Sequence, residues 1–241
     1  WANKHKKEYY PPTNAQDYAT FVTEVVRRYK PNGVFAKQEG WTDGYGITHW
    51  EIWNEQNGPW FWLPLPNVAD YAEMLHQANS AIRKIDESAV ILHGGLDPAG
   101  KDIDPGLSLS GFLENMYVQG AKDCFDVVNL HTYFFSDTSP TELNKTYLNP
   151  VKETMAKYGD SRKPIWITEF GYVTGPKGWT SEERQAEFLK EAYGELSNGS
   201  FQALFWFALG DGDDPASEYF GLMRADRSKK PAYDAYRSLP F

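Results

Sequence analysis

The 241-residue sequence predicts an α/β fold, a TIM-type (β/α)8 barrel that is incomplete, and three observations carry that prediction. Five short apolar runs recur along the chain at intervals of 37 to 42 residues, room each time for a crossover helix and two loops. The segments between them carry amphipathic helix patterns. Neither a G-x-G-x-x-G nor a P-loop motif occurs, which disfavours the open nucleotide-binding sheet that the same alternation would also allow.

The elements follow in order. Asn14, with Asp17 three residues on, opens a helix whose apolar positions are Tyr18, Phe21, Val22, Val25, Val26 and Tyr29. The first strand is ITHWEIW (47–53). A helix after Asn67 buries Val68, Tyr71, Leu75, Ala78, Ile82 and Ile85, and AVILHGGL (89–96) follows as the second strand. Helices are expected at 108–119, 150–158, 181–196 and 231–239, the third of these opened by a Thr180-x-x-Glu183 capping box. The remaining strands are FDVVNLHTYF (125–134), KPIWITEFGY (163–172) and FQALFWFALG (201–210). All five runs are near-continuously apolar, as strands covered on both faces should be. Eight such units would need about 310 residues, and only 46 precede the first strand, so three strands are missing by this arithmetic. PNGVFAK (31–37) is a weak further strand candidate. No linker-like stretch divides the chain, so residues 1–241 read as a single barrel domain.

With 24 Lys+Arg against 33 Asp+Glu, the net charge of −9 argues against a nucleic-acid partner. No run approaches the roughly 20 apolar residues of a membrane-spanning helix, so no membrane partner is expected. The single cysteine, Cys124, excludes an intrachain disulfide framework and a Cys-rich zinc site. The chain begins at Trp1 with no signal-like segment, so processing or truncation is expected to have removed the true start. Its 38 aromatic residues, several in Gly/Pro-rich loops, suit a sugar-stacking surface.

Chemistry concentrates at two strand ends. WEIWNEQN (50–57) carries Glu55 into the loop GPWFWLPLP (58–66), and WITEFGY (166–172) carries Glu169. Barrel active sites sit at the C-terminal rim of the strands, where two carboxylates three units apart can converge on a glycosidic bond. Glu51, two residues before Trp53, reads as a buried structural carboxylate, and His49 and His93 as core. Asp211, Asp213 and Asp214 read as a solvated acidic turn rather than a calcium loop. No His/Asp cluster has metal-ligand spacing, and no metal or organic cofactor is expected.

The pair WNEQN and TEFG resembles the clan of retaining barrel glycosidases, and the whole chain is most similar to glycoside hydrolase family 39, with family 5 next. NLHTY (129–133), FW (205–206) and YFGLMRAD…KKPAYDAYR (219–237) extend the resemblance over essentially all 241 residues. The resemblance implies that the visible strands are the fourth to eighth of the barrel. It implies that Glu55 is the general acid and base and Glu169 the nucleophile, with carboxyl groups about 5–5.5 Å apart and retention of configuration. It further implies that Asn54 binds the sugar 2-hydroxyl, that Tyr133 donates to Glu169, that His131 lines the site and that Trp206 forms an apolar floor under the sugar. Trp60, Phe61 and Trp62 read equally as flanking subsites or as loop anchors.

The clan commonly has Pro after the acid/base glutamate, where this sequence has Gln56. Missing strands would expose the edges of strands four and eight, to be covered by a second copy or a complementing chain. The expected function is hydrolysis of β-glycosidic bonds in a poly- or oligosaccharide, by a secreted or extracellular enzyme. The rival reading is an inactive or carbohydrate-binding remnant; a weaker one is a metal-dependent lyase or isomerase.

Overall fold

The computed structural model describes residues 3–5, 7–42, 44–135, 137–175, 180–212 and 219–240. Trp1 and the acidic-turn residues Asp213 and Asp214 lie outside the described residues. The chain forms two compact units, Trp1–Asn129 with Thr154–Pro164, and Leu130–Glu153 with Ile165–Phe241.

The first unit contains helices α1 (Ala15–Tyr29) and α2 (Val34–Gln38), strand β1 (His49–Ile52), helix α3 (Val68–Ile85), strand β2 (Val90–His93) and helix α4 (Leu109–Val118). Asn14 caps α1 by accepting from Gln16 N, and Asn67 caps α3 by accepting from Ala69 N and Asp70 N. These short polar side chains satisfy amides that have no partner within the helix. Helices α1 and α3 pack on one another, burying Ala19, Val22 and Val26 of the former and Tyr71, Leu75, Ala78 and Ile82 of the latter. Strands β1 and β2 pair in parallel, from His49 opposite Val90 to Ile52 opposite His93.

Two expectations fail here. Residues 34–37 of the weak strand candidate fall in α2, because Gly33 is extended and lets the chain re-enter a helix soon after α1. His49 and Glu51 are exposed rather than buried, because the side of β1 that carries them stays open.

The second unit is built on a three-stranded sheet in the order β3 (Val128–Phe134), β4 (Ile165–Tyr172), β5 (Ala203–Trp206), with the unit boundary falling inside β3 after Asn129. A helical run, α5 (Thr141–Leu143), continues through a π-turn over Asn144–Leu148 into α6 (Asn149–Lys157). Helices α7 (Glu182–Ser197) and α8 (Pro231–Arg237) pack against each other. The cap of α7 is Ser181, whose hydroxyl accepts from Arg184 N, one residue later than the expected Thr180.

Strands β4 and β5 are parallel, and their register slips by one residue: Ile167 faces Leu204 and Phe170 faces Trp206. Two β4 residues, Thr168 and Glu169, therefore stand against the single Phe205. This is a β-bulge, an extra residue that breaks the strict alternation of sides. One face of the sheet buries Ile165, Ile167, Phe170, Tyr172 and Leu204, with Tyr172 stacked on Phe188 of α7 at 4.4 Å. The opposite face carries His131 and Tyr133 from β3, Trp166, Thr168 and Glu169 from β4, and Phe205 from β5. Phe205 is 49% exposed, so β5 is not covered on both faces as expected.

Candidate active site

In the first unit, the turn leaving β1 is held by an unusual density of polar contacts. Trp53 and Glu55 adopt the left-handed backbone region, with φ of 74° and 47°. Non-glycine residues pay for that conformation and persist there when their surroundings hold them. Here the surroundings do. Glu55 N donates to Gly95 O at 3.0 Å, and Gln56 Nε2 donates to Gly94 O at 2.9 Å. Asn57 Nδ2 donates to Asp97 O and Leu107 O, while Asn57 Oδ1 accepts from Asp97 N. The Tyr71 hydroxyl donates to Ile52 O at 2.9 Å and accepts from Gly94 N at 2.8 Å, bolting the ends of β1 and β2 together. Gly94 has no alternative, since a Cβ there would stand 2.2 Å from Gln56 Oε1. Gln56, the departure from the family pattern, is thus a fully buried anchor of the turn.

Glu55 is buried at 6% exposure and Asn54 beside it is half-buried. Glu51, though exposed, accepts from Gly95 N at 2.8 Å and braces the same turn. In the following loop Trp62 is 2% exposed and packs edge-on against Trp53 and Tyr71, so it anchors the loop. Trp60 stays 46% exposed, its Nε1 donating to Asp97 Oδ2 at 3.0 Å. His93 is core, as expected. Nδ1 of its ring lies 2.8 Å from Gly94 O and Nε2 accepts from Asn129 N, which requires the neutral Nδ1-protonated tautomer.

In the second unit, Glu169 gathers two of the expected residues. The Tyr133 hydroxyl donates to Glu169 Oε2. His131 Nδ1 lies 3.5 Å from the same oxygen, and its Nε2 lies 3.1 Å from Thr168 Oγ1. The bulge makes this possible, because Thr168 and Glu169 both project to the side of His131 and Tyr133. Strand β3 delivers its pair two residues apart, as alternation requires.

Trp206 is elsewhere, which corrects the expectation of a sugar floor. It sits across from Phe170 in the ladder, its ring 5.6 Å from the buried Phe170 ring, and its Nε1 donates to Phe220 O. The pleat turns it to the side opposite Glu169. On the glutamate's side the ring of Phe207 stands edge-on to Tyr133 at 5.6 Å and is 42% exposed. Phe220 supports both, 4.9 Å from Tyr133 and 6.1 Å from Phe207. Gly171 admits this layer, since a Cβ there would lie 2.7 Å from Phe207 O and 2.8 Å from Phe220 Cδ1. Strand parity would have pointed to Phe207 had the bulge been visible in the sequence.

Asp211 also departs from expectation. Rather than forming a solvated turn, its side chain is 2% exposed and paired with the equally buried Lys230 at 2.8 Å.

Glu169 is thus a half-buried carboxylate in the C-terminal half of a parallel strand, with a phenol and an imidazole directed at one oxygen and an apolar ring alongside. The chain belongs to the glycosyl hydrolase catalytic core family, whose model matches residues 68–232. No curated protein matches it. Among solved structures it is similar to a glucosidase from Croceicoccus marinus, with a TM-score of 0.72 and 20% identity over 96% of this chain and 46% of that one. It is also similar to a family 39 glycoside hydrolase from Xanthomonas axonopodis pv. citri, with a TM-score of 0.69 and 18% identity over 95% of this chain and 46% of that one. A third likeness is to a family 39 β-xylosidase from Caulobacter crescentus, with a TM-score of 0.63 and 22% identity over 95% of this chain and 48% of that one. The chain spans about half the length of these structures, and the likeness is one of fold.

Proposed function

We propose that the chain carries the catalytic carboxylates of a retaining β-glycosidase acting on a poly- or oligosaccharide. The observation that carries this reading is the Glu169 cluster, in which Tyr133 donates to Oε2 of the carboxylate and His131 flanks the same oxygen. A hydroxyl donating to one oxygen of the carboxylate fixes the orientation of the group, as a nucleophile held for attack requires. In the proposed reaction Glu169 attacks the anomeric carbon as the bond to the leaving oxygen breaks, and Glu55 gives that oxygen its proton. Water then gives a proton back to Glu55 as its oxygen displaces Glu169, and configuration is retained. Asn54 serves the sugar 2-hydroxyl, and Phe207 takes the part of apolar platform. A polymeric substrate places the action outside the cell.

A second reading, a carbohydrate-binding remnant without turnover, draws support from the open face of β1. The test is hydrolysis of β-linked glycans and aryl β-glycosides by the chain and its Glu169→Gln and Glu55→Gln variants, with the anomeric proton followed by NMR. Turnover with retention, lost in Glu169→Gln and restored by azide in Glu55→Gln on aryl substrates, supports the proposal. Sugar binding without turnover in any form supports the remnant.

A further inference from the structure

Lys230 is an unusual residue to bury completely, at 1% exposure. Its Nζ donates to Asp211 Oδ1 at 2.9 Å, to Thr174 Oγ1 at 2.9 Å and to Tyr219 O at 3.2 Å. Each contact belongs to a different stretch of the second unit: Asp211 to the loop leaving β5, Thr174 to the chain just past β4, and Tyr219 to the returning segment before α8. Asp211 extends the tie, its Oδ1 accepting from Gly221 N at 2.7 Å. Backbone bonds from Leu222 N to Ala208 O and from Met223 N to Leu209 O lock the return to the outgoing loop. Phe207 and Phe220 sit inside this clasp. Their rings contact Tyr133, whose hydroxyl donates to Glu169.

We propose that the buried Lys230–Asp211 pair is a positioning device for the sugar-binding face, fixing the Phe207 and Phe220 rings and through Tyr133 the aim of Glu169. The inference rests on the reading of Glu169 as nucleophile. A buried ion pair is weak evidence for stability, because desolvation offsets much of its attraction. Burial also lowers the Lys230 pKa, against the opposing pull of Asp211. Geometry is what the pair supplies, and angstrom-scale misplacement of reacting groups is costly to rate.

The test compares the full chain with Lys230→Met and with Lys230→Met/Asp211→Leu, the double variant removing the carboxylate that the single one would strand. Competent sites are titrated with a 2-fluoro glycoside that traps the glycosyl-enzyme, so that kcat is expressed per working site. The expected result is a KM raised about fivefold or more and kcat per site lowered about tenfold in both variants. A fall in the titratable fraction with KM and kcat per site unchanged would mean a purely structural pair and would overturn the proposal. In parallel, 4-fluorophenylalanine is placed at position 207 and its fluorine resonance recorded with and without the double substitution. An unmoved resonance overturns the positioning role whether or not the chain turns over. Failure of the wild-type chain to be trapped at Glu169, with the resonance moved, faults the assigned chemistry and leaves the clasp supported.

Discussion

Trp206 and Phe207 are consecutive in sequence and stand on opposite sides of the same sheet, one ring against the buried Phe170 and the other against Tyr133. Their substitutions should separate cleanly. Trp206→Ala removes a half-buried ring packed on Phe170 and should cost about 2 kcal/mol of stability. Phe207→Ala, at a ring already 42% exposed, should cost far less stability and instead weaken sugar affinity. Chemical denaturation and titration calorimetry with an oligosaccharide read both quantities. Loss of affinity confined to Trp206→Ala would reverse the assignment.

Tyr133→Phe removes the donor to Glu169 and keeps the ring between Phe207 and Phe220. Hydrogen bonds to charged groups contribute about 1.5–3 kcal/mol, so kcat/KM should fall about tenfold to a hundredfold. Steady-state kinetics with an unaltered rate would show that the hydroxyl is a bystander.

Tyr71→Phe should act in the opposite way. Its hydroxyl serves both Ile52 O and Gly94 N in a fully buried position, and removing it leaves two backbone groups without that partner. A loss of about 1–3 kcal/mol in urea unfolding is expected. Because these groups brace the turn that carries Glu55, any surviving activity should decline as well.

Cys124 should resist alkylation. Burial pushes its thiol pKa up, and the side chain is 5% exposed with Sγ 3.5 Å from His76 Nδ1. Thiolate is the reactive form, so iodoacetamide at pH 8 should label the native chain slowly and the urea-unfolded chain quickly. Intact-mass spectrometry over time checks this; equal rates would show that the first unit opens readily around Cys124.

All five strands and the caps at Asn14 and Asn67 were legible in the sequence, because period and capping chemistry are local properties. The two strand-end glutamates were legible for the same reason, each closing an apolar run. What escaped depended on partners distant in sequence. Asp211 reads as part of a solvated turn until the fold brings it to the buried Lys230. Glu51 and His49 read as interior because alternation says which residues share a side and not whether that side is covered. The expectation for Trp206 came from the resemblance of FW (205–206), and that Trp206 and Glu169 take opposite sides depends on a bulge in β4 that leaves no mark in composition or hydropathy.

That bulge has a consequence for how the gene can vary. Deleting the codon for Thr168 would leave the hydrophobic pattern of β4 almost intact while restoring a regular pleat against Phe205. Ile167, Phe170 and Tyr172 would keep the packed side and Glu169 the side of Tyr133 and His131, and the loss would be Thr168 itself, the partner of His131 Nε2. A residue inserted between Glu169 and Phe170 and kept in the pleat would instead turn Phe170 and Tyr172 out of the core. Lengthening of β4 is thus closed to this protein, whereas the one residue that the bulge adds is spare to the core and serves the reactive side alone.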